Sequence, residues 1–173
     1  MMPYVAILVA LAFRLVPHPW NVTPLGAMFL FGGANIRSKP ASLLVPLTAL
    51  VISDVAVTAF LYGGQYSWFQ PFNWAAFLCV GMIGWLLRPN QGVWRVAGAA
   101  VAGSVTFFVI SNFGVWAQGH LYTPDLKGLI DCYIAAIPFF RNTLLGDLGY
   151  TAILFGGYHL LLKYRKQPLQ LAN

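Results

Sequence analysis

Two aspartates stand inside apolar runs of this chain, and their surroundings limit what chemistry they can do. Asp54 lies within the run Ala41–Phe60 and Asp147 within Thr143–Lys163. An ionisable group in an apolar setting is costly unless it meets an opposite charge or serves a site. Arg14 and Arg141 are the cations at matching depth, so Arg14–Asp54 and Arg141–Asp147 pairs would tie helices together. The alternative adds the neutral groups His18, Asn21, Asn112 and Asn142. The substrate-binding set is then Arg14, His18, Asn21, Asp54, Asn112, Arg141, Asn142 and Asp147, a polar cluster able to hold a small solute by hydrogen bonds.

Catalysis is not expected. His18, His120 and His159 are far apart and show no paired-ligand spacing, no serine stands in a nucleophile elbow, and no glycine-rich phosphate loop is present. Cys79 and Cys132 form neither a metal pattern nor a disulfide framework. The expectation is therefore no enzyme, no metal and no cofactor.

The elements that must position these residues are membrane helices. Only 8% of residues are charged and 59% are hydrophobic, where soluble chains carry about 25% charged. Mean hydropathy is +0.70. The net charge of +6 lies between apolar runs rather than in a stripe with interleaved aromatics, so nucleic acid is not an expected partner. The pattern predicts an all-α membrane protein, a single domain over residues 1–173 with about six transmembrane helices. Ala41–Phe60, Gly92–Trp116 and Thr143–Lys163 have the length of a span, and Trp74–Leu87 joins them if Phe69–Asn73 continues it. Pro3–Val16 and Pro24–Ile36 are shorter, divided by Pro17 and Pro19, with Thr23-Pro24 as a cap.

Between the last two spans, Leu126, Leu129, Ile130, Tyr133, Ile134 and Ile137 make a helical stripe after Thr123-Pro124, with Lys127 and Asp131 on the other face. This predicts a short interfacial helix that ends near Pro138. Seven lysines and arginines fall in the connections on one side and three on the other. That bias places both termini in the cytoplasm of a bacterial inner-membrane protein. The polar cluster then lies in the outer half of the bundle. Trp20, Trp68, Trp74, Trp116, Tyr122 and Tyr150 form an aromatic belt near the same surface. Small residues at Gly81, Gly84, Gly98 and Gly103 serve close helix packing, as do Ala6 and Ala10.

The strings Arg14-Leu15-Val16-Pro17-His18-Pro19-Trp20-Asn21, Ser53-Asp54, Ser111-Asn112-Phe113-Gly114-Val115-Trp116 and Pro138-Phe139-Phe140-Arg141-Asn142-Thr143, with Gly146-Asp147, resemble an uncharacterised bacterial family labelled as integral-membrane transport proteins. In size, helix count and outward polar cluster the chain is more loosely similar to the S components of energy-coupling factor transporters. That likeness implies a substrate-binding subunit that docks on a transmembrane coupling subunit with ATPases, with Ala6 and Ala10 at the docking face. The expected function is capture of a small polar or aromatic solute from the outer side of the bilayer. Its rivals are a structural or accessory subunit of a larger membrane complex and a stand-alone secondary carrier.

Overall fold

The computed structural model describes residues 2–14, 21–61 and 70–170, leaving out the side chains of residues 14, 56, 57, 59–61 and 165–170. Six helices follow one another: α1 (Met2–Arg14), α2 (Leu25–Asn35), α3 (Lys39–Leu61), α4 (Gln70–Trp85), α5 (Val93–Ala117) and α6 (Leu126–Gln170). No strand occurs among the described residues. The predicted all-α architecture and the two short opening helices are present. By length and hydropathy, α5 is the one described helix able to cross a membrane, with a hydropathy of 1.7.

The helices are organised around α2, which packs against all five others. Every residue from Leu25 to Ala34 is buried, and Ala27, Met28, Phe29 and Phe31 are wholly inside. A helix apolar on every side belongs in a core rather than on a surface. Phe29 stacks on Phe77 of α4 at 5.3 Å, and Phe31 meets Phe155 of α6 edge-on, also at 5.3 Å. Gly33 lets α4 come against α2: a Cβ there would run into the carbonyl of Gly81. One at Gly84 would meet the carbonyl of Leu30.

Because α2 ends inside the bundle, its last carbonyls need donors. Arg88, just beyond α4, supplies donors to one of them and to the two residues that follow the helix: Nε donates to the Gly33 carbonyl at 3.0 Å, Nη2 to Ile36 at 2.9 Å and Nη1 to Arg37 at 3.2 Å. The positive guanidinium also complements the negative end of the helix dipole. Nearby, the Trp85 indole N–H donates to Ser42 Oγ at 2.9 Å.

Several expectations are corrected. Thr123-Pro124 does not cap the helix before the last span; the Asp125 carboxylate does, accepting from the Gly128 N–H at 2.6 Å and the Thr123 hydroxyl at 2.9 Å. Nor does Thr23 cap α2, where Pro24 holds the cap position without a side-chain bond. The interfacial helix is not a separate element: α6 runs unbroken for 45 residues, about 68 Å by helical rise. Pro138 removes one helical hydrogen bond, at a typical cost of about 3 kcal/mol. Contacts on both sides of it offset this. Tyr133 and Phe140 pack on the same Phe108 ring of α5 at 5.6 and 4.9 Å, and the Tyr133 hydroxyl donates to the Val109 carbonyl at 2.7 Å. Lys127 and Asp131, on the other face, pair at 3.6 Å. Ala10 is only 2% exposed and Ala6 packs against the same core, so both serve close packing within this bundle.

Two predictions follow from these contacts. Gly33→Ala should lower stability by about 1–3 kcal/mol, the usual cost of overpacking. Gly98→Ala, which meets nothing within 4 Å, should be neutral or raise stability by up to about 1 kcal/mol; thermal unfolding in detergent compares the two. The Gly128 N–H and Thr123 hydroxyl hold the Asp125 carboxyl below its ordinary 3.8. A depressed folded value means that the cap's stabilisation is present above that ordinary value and lost as pH falls through the lowered one. Protection from hydrogen exchange at the start of α6, taken relative to the intrinsic rate, should therefore fall in acid, and Asp125→Asn should flatten that pH dependence.

Candidate functional site

α2 has 11 residues, about 16 Å of rise, whereas α3 and α5 beside it have 23 and 25. Space is left beyond the N-terminus of α2, walled by the longer helices. It forms a cavity of about 260 Å³, lined by Asn21, Thr23, Leu25 and Gly26 from below, Leu50 and Asp54 of α3, and Gln70, Asn73, Trp74 and Phe77 of α4. Phe107 of α5 and Thr143 and Asp147 of α6 close it. A second cavity of about 230 Å³ shares Asn21, Asn73, Phe107 and Thr143 and runs on to Ser111, Asn112, Phe139 and Phe140. Apolar walls carrying a few convergent polar groups are the usual make-up of a small-molecule site.

The two aspartates share the first cavity. Asp54 is 4% exposed and accepts from the Trp74 indole N–H at 2.8 Å. Asp147 is 6% exposed and accepts at Oδ2 from the Ser104 hydroxyl of α5 at 2.6 Å. The absence of a side chain at Gly26 makes room for Asp147, since a Cβ there would occupy the space of its carboxylate. The first turn of α2 thus faces Asp147. Its positive dipole end favours a carboxylate by about 0.3–1 kcal/mol, up to about 2 in partly buried geometries. That is less than the several kcal/mol by which burial opposes the charge. Asn21 takes a left-handed backbone, φ 60°, at the entry to this turn, a conformation that asparagine tolerates better than most residues.

Of the eight residues expected at a site, the fold brings four together. Asn21, Asp54 and Asp147 line the first cavity, and Asn21 and Asn112 the second. The Asn112 amide N–H is engaged by the Phe108 carbonyl at 2.7 Å. Asn142 is half-buried and lines neither cavity. Arg141 is a correction: it is exposed, lines neither cavity and makes no ion pair with Asp147. On α6 it stands six positions before Asp147, which turns the two side chains to different faces of the helix. The Arg14 side chain and His18 lie outside the described residues, as do Trp20 and Trp68.

Sequence reasoning missed Thr23, Gln70, Asn73, Ser104 and Thr143. It also assigned Trp74 to an interfacial belt, whereas its indole N–H is held by Asp54. Helical spacing offered one usable signal, because Gln70, Asn73, Trp74 and Phe77 recur at three and four residues along a single face of α4. Ser104 carried none, since a small hydroxyl in an apolar run is commonly satisfied by its own helix. Among the described residues no group of three or more His, Cys, Asp or Glu could hold a metal ion.

Trp74→Phe keeps a ring in the wall but strips a donor from buried Asp54, and should cost about 1–3 kcal/mol. Trp116→Phe removes an exposed indole bond to the Thr123 carbonyl and should cost about 0.5–1.5 kcal/mol. Parallel denaturation of the two variants checks the difference.

A protein-family model matches residues 1–170, and its description is a family of unknown function, DUF6580. No curated protein and no solved structure matches the chain.

Proposed function

The chain belongs to this family of unknown function, and we propose that it is a membrane-embedded binding protein that captures a small polar or aromatic solute from the outer side. It would act as the substrate-binding subunit of a transporter. The observation that carries the reading is the cavity beyond α2, where buried Asp54 and Asp147 join amide, hydroxyl and aromatic side chains. A bundle held together by charge pairs alone has no need of such a space.

The bilayer setting is supported by the exterior. Large apolar side chains face outward along the helices, among them Leu8, Ile52, Val105, Val109, Ile153 and Leu160. Large apolar side chains exposed in this number suit lipid better than water. Six spans with both termini inside agree with the excess of lysine and arginine on one side of the loops. That topology turns the cavity outward and the Arg88 end toward the cytoplasm. An S-component-like subunit would rely on a coupling subunit and ATPases for energy.

Solute binding is tested on purified protein in detergent by thermal stabilisation across vitamins, nucleobases and amino acids. A ligand at 100 times its Kd should add about 2.7 kcal/mol, and Asn73→Ala should abolish the gain at an intrinsic cost of about 0.5–1.5 kcal/mol. No stabilisation by any solute, with a stable complex to other membrane subunits, would instead support an accessory role. Topology is tested by single cysteines in a background lacking Cys79 and Cys132. Label applied outside intact cells should reach position 121 and not position 38; the reverse pattern would turn the cavity inward.

A further inference from the structure

We propose that the solute is a small organic cation for which Asp147 is the counter-ion, an inference that rests on the solute-binding reading above. Asp147 Oδ2 is held by Ser104, while Oδ1 lies against Gly26 on the cavity wall and has no hydrogen-bond partner among the described residues. No lysine or arginine pairs with Asp147 among the described residues. The described linings of both cavities contain no lysine, arginine or histidine. A buried carboxylate in that position balances its charge with a proton or with a cation that enters the cavity. The walls suit the second. Trp74, Phe77 and Phe107 present aromatic faces, with Phe77 and Phe107 at 4.6 Å, and such faces attract a desolvated cation. An anionic solute would meet Asp147 as a like charge.

Proton and cation then compete for one carboxylate. Binding should weaken as pH falls. The ionisable groups on the surrounding elements are few. Asp54 of α3 shares the cavity. α2 has none, α4 carries Cys79 and α5 carries Arg95, and neither of these lines the cavity. On α6 itself Arg141, Tyr150 and His159 lie off the lining, and the Arg14 side chain at the end of α1 is outside the described residues.

The test uses the purified full chain and three matched panels of amines, alcohols and carboxylates built on the same methyl, cyclohexyl and benzyl skeletons. Amines should bind at least tenfold more tightly than the corresponding alcohols, and Asp147→Asn should erase that preference. The amine affinity of the unmutated protein should fall as pH is lowered from about 7.5 to about 5, while alcohol affinity stays level. This second measurement decides the matter even if Asp147→Asn fails to fold. Equal or tighter binding of alcohols or carboxylates, or amine affinity that does not fall as pH is lowered, overturns the cation and leaves solute binding standing. Silence of all three panels together with the broader solute screen overturns the solute-binding reading, and the cation with it.

Discussion

A helix that ends inside a protein leaves backbone groups without partners, and α2 is such a helix at both ends. Its apolar residues are driven inward from every side, so it becomes the post on which the other five helices pack. At the C-terminal end one guanidinium answers the carbonyls of Gly33, Ile36 and Arg37 together. A lysine could not span three acceptors with the same planar fork. The close approach of α4 at Gly33, Gly81 and Gly84 brings Arg88 within reach, so helix packing and end-capping depend on each other.

The N-terminal end has a different solution. Pro24 has no N–H to satisfy, and Asn21, in a left-handed conformation, and Thr23 line the volume above the helix. The longer neighbours continue past this point and enclose the cavity. The shortness of α2 is therefore what places Asp54 and Asp147, which are far apart in sequence and on different helices, around one space. The two carboxylates are held by different means, an indole N–H from α4 and a hydroxyl from α5. Each bond ties a cavity wall to a neighbouring helix, so the geometry of the space is fixed by the same contacts that hold the bundle.

Along α6 the wall is stiffened by continuity. The Phe108 ring contacts residues on both sides of Pro138, and Cys132 Sγ meets the Asn112 carbonyl at 3.4 Å. The upper part of α6 is thus fastened to α5 beside the second cavity. A separate lid helix would have been free to move there; a continuous helix packed on α5 makes a fixed wall.

The sequence by itself determined the helical class and where most of the helices lie, and it singled out Asp54, Asp147, Asn21 and Asn112, which line the cavities. Hydrophobic runs and proline breaks are local properties, and a charge in an apolar run is conspicuous without any knowledge of its neighbours. Tertiary structure decided the partners. Charge matching pointed to Arg141 for Asp147, but the turn of the helix carries Arg141 to another face, and a serine of α5 takes its place. Local proline chemistry pointed to a break at Pro138, but aromatic contacts to α5 outweigh it. Arg88 read as a loop charge until α4 packed beside the end of α2, and Trp74 as a belt residue until Asp54 faced it. In each case the deciding interaction joins residues distant along the chain, and no periodicity or propensity encodes which distant residue will be met.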